Sequence, residues 1–266
     1  MRIVDEELKK FILESIEKNK VITLKTYLLS DYGEDLLKII CSGVLKKFGR
    51  TDLMDISYSA AKELVINATK ANLKRALYRK SNLDIANPEH YERGMSEFKS
   101  YLTEEKIVEF KKDFKKFDLP VTATFYYNEY VLNVKVKNNF PLLKQEEERI
   151  RDKFKKATSF SSLIDFFMEF GDSTEGAGMG LTMVGILLDQ SGISKHCFSL
   201  YSSDRYRETI AKIEIPLHKD YISKREMFEK LMKQNDVSAS ELRKNFSYNY
   251  KQYKLQPEDA KIIYPT

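Results

Sequence analysis

Three alternating glycines between residues 176 and 180 are the clearest candidate for binding chemistry in this 266-residue sequence. They stand in the segment Glu175–Leu181, after an aromatic and acidic stretch (residues 165–172) and before an apolar run (residues 181–188). At the start of a helix, such glycines let backbone N–H groups close around phosphate oxygens, and the helix dipole favours the negative charge. The pattern therefore predicts a phosphate-binding loop.

A second group of polar residues lies more than a hundred positions upstream. Glu63, Asn67 and Lys70 are spaced by four and three residues, so on a helix they share one face. Asn67 can present an oxygen to Mg²⁺, Lys70 can neutralise phosphate, and Glu63 can accept a proton from a hydroxyl or water. The alternative is that these residues form a solvated helix face. Asn67 argues against this alternative, because asparagine is a poor mid-helix residue and here lies within the apolar stretch 64–68.

Hydrophobic periodicity and turn residues predict the elements that must position these groups. The predicted helices cover about 5–18, 36–48, 52–79, 181–190 and 224–234, with a short one capped by Ser238. The predicted strands cover 21–29, 121–127, 130–136, 197–202 and 209–217. We expect a helical, charged insertion at about 81–118, a long irregular connection or lid at about 138–174, and a polar, partly helical C-terminal extension at 219–266.

Composition limits the classes of function. The net charge of +5 is modest, and acidic residues are interspersed with the basic clusters, so nucleic-acid binding is disfavoured. The two cysteines, Cys41 and Cys197, have no paired spacing, which predicts a reducing compartment rather than a disulfide framework. The start of the sequence turns acidic at once, and no apolar run is long enough to span a membrane, so a soluble, cytoplasmic protein is expected.

Together, these motifs resemble those of the GHKL ATPase superfamily. Glu63-x-x-x-Asn67-Ala68-x-Lys70 resembles its N box, and Gly176-x-Gly178-x-Gly180-Leu181 resembles its second glycine box. Residues 165–170 are similar to the phenylalanine-containing box of histidine kinases. The resemblance covers roughly Val21 to Leu217. It implies an α+β fold of the Bergerat type in residues 1–218, a two-layer α/β sandwich whose mixed sheet carries helices on one face.

The resemblance also implies roles for individual residues, with ATP and Mg²⁺ as cofactors. Asn67 would bind the metal, and Glu63 would be the catalytic base. The remaining nucleotide-binding residues would be Lys70, Asn138, Gly176, Gly178, Gly180, Leu181 and Thr209, the last of these near adenine.

The first adenine motif departs from the family pattern. Asn138 stands where the family has an aspartate, and Phe140 stands where it has a glycine. An asparagine carbonyl still accepts a hydrogen bond from an amino group, but the loss of a charged acceptor costs about 1 kcal/mol or more. Phe140 also lacks the backbone freedom of glycine. The departure predicts nucleotide binding that is weakened, altered in base preference or lost.

The function implied is that of a stand-alone ATP-binding signalling protein. The three histidines, His90, His196 and His218, all follow the N box, whereas orthodox histidine kinases carry the phosphoacceptor before it. The order of elements over residues 21–79 resembles the anti-sigma serine kinases of bacterial partner switching. We therefore expect a protein kinase that transfers the γ-phosphate to a separate signalling partner. The resemblance leaves open whether the chain forms a homodimer. A non-catalytic module of the same fold that sequesters a regulator is the alternative.

A third interpretation of the glycine motif is a dinucleotide-binding oxidoreductase. Its motif requires G-x-G-x-x-G directly after a strand, whereas here the glycines run G-x-G-x-G late in the chain. This class is therefore disfavoured.

Overall fold

The protein is described by a computed structural model for residues 4–159, 179–235, 238–245 and 261–263. The α+β class is confirmed. The helices are α1 Glu6–Glu17, α2 Asp31–Lys47, α3 Met54–Lys80, α4 Pro88–Lys99, α5 Glu104–Glu109, α6 Lys111–Lys116, α7 Lys144–Ser159, α8 Met179–Gln190, α9 Lys224–Asn235 and α10 Ala239–Asn245. The strands are β1 Ile22–Thr26, β2 Val121–Tyr127, β3 Val131–Asn138, β4 Phe198–Ser203, β5 Glu208–Pro216 and β6 Lys261–Ile263.

The strands form one sheet in the order β4-β5-β3-β2-β1-β6. Neighbours among β1 to β5 are antiparallel, while β6 runs parallel to β1, with Ile22 opposite Lys261. The sheet is therefore mixed. In the β3–β5 pair, Asn138 lies opposite Thr209, so the two residues predicted to contact the base are cross-strand neighbours.

The buried face of the sheet follows the period of two that a strand imposes on its side chains. In β2, every second residue is buried, from Val121 through Phe125 to Tyr127. These side chains share one hydrophobic core with Leu36 and Ile40 of α2 and with other residues of α3 and α8. Helices thus cover this face and give the two-layer arrangement.

Helix α3 is the longest element and carries the upstream motif. Its 27 residues contain neither glycine nor proline, and Asp55 in the first turn and Lys80 in the last complement the helix dipole. The N-terminal half buries Leu64 and Val65 in the main core. The C-terminal half buries Leu73 and Leu77 in a second cluster, which residues of the insertion complete. Because α3 is held on both sides, the polar stripe on it is rigidly placed.

The insertion is docked on α3 through a contact that requires glycine. A Cβ added at Gly94 of α4 would lie 2.3–2.7 Å from ring atoms and the hydroxyl of Tyr78. The Tyr78 hydroxyl donates a 2.6 Å hydrogen bond to the backbone oxygen of Tyr91. Farther along the insertion, Phe110 and Phe114 are buried in the second cluster, as their helical spacing predicts.

Several predicted boundaries need correction. The first strand ends at Thr26 instead of continuing to residue 29, because the Thr26 hydroxyl donates to the backbone oxygen of Leu28 in a turn. Helix α2 begins at Asp31, five residues before the predicted start, because the Ser30 side chain caps it.

The prediction of an irregular connection at 138–174 is partly wrong, since residues 144–159 form α7. Strand β6 was not predicted; it falls in the stretch expected to be a polar extension. The predicted cap at Ser238 is confirmed, with its hydroxyl accepting from Glu241 N. In the part of the chain that the structure describes, no helix combines the length and apolar character needed to cross a membrane.

Candidate functional site

Glu63 and Asn67 are joined by hydrogen bonds on the surface of α3. The Asn67 amide nitrogen donates to the Glu63 backbone oxygen and to Glu63 Oε1, at 2.8 Å in both cases. These bonds settle the orientation of the amide and leave Asn67 Oδ1 as the branch that can bind a cation. The predicted helical face is confirmed, and its asparagine is held by its neighbour one turn earlier.

The start of α8 packs directly on this pair. A Cβ added at Gly180 would lie 1.6 Å from Glu63 Oε1 and 2.6 Å from Asn67 Nδ2, so a larger residue would have to displace the Glu63 side chain. The structure therefore brings Gly180 of the downstream motif against the upstream motif. Gly176 and Gly178 lie outside the described residues, and their contact with phosphate stays a prediction.

The half-buried Glu63 carboxyl is held in an unusual electrostatic environment. Burial raises its pKa, against the opposing effects of the Lys70 charge, the Asn67 hydrogen bond and the Lys62 charge. A carboxyl with a raised pKa is a better proton acceptor when ionised than an ordinary surface glutamate. This property suits the role of general base that the resemblance implies.

A cavity of about 620 Å³ opens beside this pair, between α3 and the sheet. Five of the predicted nucleotide-binding residues line it: Asn67, Lys70, Asn138, Leu181 and Thr209. They come from α3, β3, α8 and β5, so the fold gathers residues that are up to 142 positions apart in the sequence. Glu63 and Gly180 adjoin the cavity through Asn67.

The sheet end of the cavity is neutral and firmly hydrogen-bonded. Asn138 is 5% exposed, and its amide nitrogen donates to Ala68 O at 3.0 Å and to Asn72 Oδ1 at 2.7 Å. The Thr209 hydroxyl donates to Phe140 O at 2.7 Å. The Phe140 ring is buried in the second cluster, and the Arg75 guanidinium lies 4.6 Å from its centroid.

Three further basic residues line the cavity: Lys74, Lys99 and Arg149. Of these, Lys74 and Lys99 were missed from the sequence. Lys74 continues the stripe of α3 one turn beyond Lys70, a spacing that could have identified it. With Lys70, the lining holds four basic side chains against the acidic Glu146 and Asp152. The excess of positive charge suits an anionic ligand.

Glu146 of α7 is clamped between two cations of α3. Arg75 binds it with both guanidinium arms, at 2.9 Å to Oε1 and 2.7 Å to Oε2, and Lys74 pairs with the same carboxylate. Burial alone would raise the pKa of Glu146, but the Arg75 hydrogen bonds and the Lys74 and Arg75 charges lower it to about 2. These buried ion pairs of Glu146 with Lys74 and Arg75 fix α7 beside the cavity.

The insertion supplies one wall of the cavity. Met95, Phe98 and Lys99 of α4, followed by Leu102, line it. The wall is braced from α7, because Arg149 Nη1 donates a 3.0 Å hydrogen bond to the Tyr91 hydroxyl. The apolar stripe that helical spacing predicts in the insertion, which includes Phe110 and Phe114, lies in the second cluster and not in this wall, and no sequence signal indicated the residues that line the cavity.

Few of the described residues on this cavity wall could hold a metal ion. Within the described residues, no group of three or more His, Cys, Asp or Glu side chains could hold a metal ion. Mg²⁺ is commonly held by one or two protein oxygens together with phosphate oxygens and water. Asn67 Oδ1 can supply one such ligand, and Lys70 lies beside it on the cavity wall.

The chain is similar to a protein from Treponema pallidum (strain Nichols) described as uncharacterized. The two are 30% identical over 206 residues, which make up 77% of this chain and 39% of the other protein. The chain thus matches about two fifths of that protein's length. No protein-family model and no solved structure matches the chain.

Proposed function

We propose that the chain binds Mg²⁺–ATP in the cavity between α3 and the sheet, in a domain of the Bergerat type, and transfers the γ-phosphate to a separate signalling protein. The main support is the gathering of Asn67, Lys70, Asn138, Leu181 and Thr209 around one cavity. Those residues were selected from motifs far apart in the sequence, so their convergence favours the nucleotide interpretation.

Each group then has a distinct part in the proposed chemistry. Mg²⁺ bound to the nucleotide would neutralise phosphate charge, with Asn67 as its protein ligand. Lys70 would position the phosphates, and Glu63 would take the proton of the attacking hydroxyl. The hydrogen bond from Asn67 to Glu63 links the metal ligand to the base and holds both in one orientation.

The test is a calorimetric titration of the full chain with ATP, with and without Mg²⁺. We expect Mg²⁺-dependent binding, and we expect Asn67→Ala to remove most of the Mg²⁺ dependence while leaving weak metal-free binding. Mg²⁺-dependent binding that is unchanged in Asn67→Ala would contradict the metal role. Label from γ-phosphate that reaches a partner protein supports a kinase, whereas label released as phosphate supports an ATPase.

A non-catalytic binding module is the second candidate, and one contact favours it. The close packing of Gly180 on Glu63 and Asn67 leaves little space for a phosphate between these motifs in the arrangement described. Such a module would sequester a regulator without turnover. The absence of any heat of binding at millimolar ATP or ADP would favour this function over the kinase.

A further inference from the structure

The polarity of the sheet end of the cavity is controlled from α3 by Asn72, a residue that is fully buried. Asn72 Nδ2 donates a 2.6 Å hydrogen bond to Leu119 O. A backbone oxygen can only accept, so this bond fixes which branch of the Asn72 amide is nitrogen. Asn72 Oδ1 must then face Asn138.

Asn138 is fixed in turn. Its two amide hydrogens go to Asn72 Oδ1 and Ala68 O, two acceptors that both require a donor. Reversing either amide would place oxygen against oxygen at a buried position, which is costly. The carbonyl Oδ1 of Asn138 is therefore the branch left for a ligand in the cavity that Asn138 lines.

The neighbouring Thr209 has the same polarity. Its hydroxyl hydrogen is committed to Phe140 O, so the oxygen offers only lone pairs to the cavity. Asn138 and Thr209 are paired across β3 and β5, and side chains at such positions have Cβ atoms about 5 Å apart. Two adjacent acceptors match a ligand group that carries two hydrogens, such as an exocyclic amino group.

We infer that Asn72 is a positioning residue that sets base selectivity, by holding Asn138 as an acceptor and so favouring an amino purine over a keto purine. This inference rests on the proposed function, since it assigns the base end of the same cavity. It also gives a physical reason for asparagine at position 138. An aspartate there would direct a carboxylate oxygen at Ala68 O and Asn72 Oδ1.

The test compares the dissociation constants of ATP and inosine triphosphate, whose bases differ at the 6-amino and 6-keto groups. The full chain should prefer ATP by about tenfold or more, the equivalent of one or two hydrogen bonds. In Asn72→Leu the Asn138 amide keeps only Ala68 O as an acceptor, so turning the amide to donate to a keto oxygen costs less than in the parent chain, and the ratio should fall to about threefold or less.

Thr69→Val is the matched control, because it removes another buried hydrogen bond of α3, from the Thr69 hydroxyl to Val65 O, without touching Asn138. We expect a lowered unfolding temperature and an unchanged ATP preference in this variant. If Asn72 had a purely structural role, Asn72→Leu would instead weaken the binding of both nucleotides equally and leave the ratio of their dissociation constants unchanged. That result would overturn the inference.

A second variant covers the case in which Asn72→Leu does not fold. Asn138→Asp should bind ATP no more tightly than the parent chain, despite its stronger acceptor, and a tighter complex would overturn the inference. Equal binding of ATP and inosine triphosphate by the parent chain would overturn it as well and leave the proposed function standing. Binding of neither nucleotide would overturn both.

Discussion

Glu63 and Glu146 are two carboxylates beside the same cavity, and their environments act on them in opposite ways. Glu146 receives both arms of Arg75 and the charge of Lys74, so its pKa falls although it is buried. Glu63 receives one amide hydrogen bond and the more distant charge of Lys70, so burial dominates and its pKa rises. Ion pairing, rather than burial, therefore decides the direction in which the pKa of each carboxylate is shifted.

The largest expected effect comes from removing the paired charge. Glu146→Gln leaves Lys74 and Arg75 as buried, uncompensated cations, and we expect a loss of about 3–5 kcal/mol in the free energy of unfolding. Urea denaturation followed by circular dichroism measures it. The control is Glu147→Gln on the same helix, whose ion pair with Arg151 is exposed and worth about 0–1 kcal/mol. Equal losses in the two variants would contradict the structural role of Glu146.

Glu63→Gln removes the charge without changing the shape. Glutamine keeps an oxygen for the Asn67 hydrogen bond but cannot accept a proton, so phosphoryl transfer or ATP hydrolysis should fall about a hundredfold or more. ATP affinity should stay within about threefold of the parent value, since the carboxylate is not placed on the nucleotide. Retained turnover in this variant, measured with labelled ATP, would remove Glu63 from the role of base.

A smaller effect is expected from Gly180→Ala. The added methyl group would overlap Glu63 Oε1 and approach Asn67 Nδ2, so the Glu63 side chain or the start of α8 must shift. We expect a loss of about 1 kcal/mol in the free energy of unfolding, because the contacted atoms are the ends of flexible side chains that can move aside. Gly192→Ala is an unsuitable control because its positive φ of 68° adds backbone strain. Leu187→Ala, which only trims a partly buried side chain of α8, is preferable. If Glu63 is held as described, Gly180→Ala should also alter turnover, and Leu187→Ala should not.

The smallest expected effect is a difference in how the two carboxylates change stability with pH. The pKa of Glu146 is lowered, so its contribution to stability is present above its ordinary value of 4.5 and is lost as the pH falls toward about 2. The pKa of Glu63 is raised, so its contribution is present below 4.5 and is lost as the pH rises through the folded-state value. Unfolding curves of the parent and the two Gln variants, taken across pH 3 to 7, should therefore diverge with opposite slopes. Slopes of the same sign would refute the contrast.

The sequence predicted the elements whose hydrophobic periodicity is regular, such as the N-terminal half of α3 and strand β2, because each buries one face. It also predicted the stripe from Glu63 to Lys70, since helical spacing alone places those side chains together. It did not predict the Glu146 clamp or the insertion wall, because both depend on tertiary docking between segments far apart. The role of Asn72 was hidden for the same reason: it depends on the direction of a single backbone carbonyl, at Leu119.

The wall contributed by α4 has a thermodynamic consequence for the insertion. Because Met95 and Phe98 line the cavity while Gly94 and Tyr91 dock the same helix on α3, a ligand that gains free energy from this wall also stabilises the docking of α4. Thermodynamic linkage is reciprocal. A partner protein that binds and displaces the insertion must therefore lower the affinity of the cavity for its ligand by the same factor by which the ligand lowers the affinity for the partner. Binding of a ligand in the cavity should therefore increase the resistance of residues 88–99 to local opening, which is a property of the surface of the molecule.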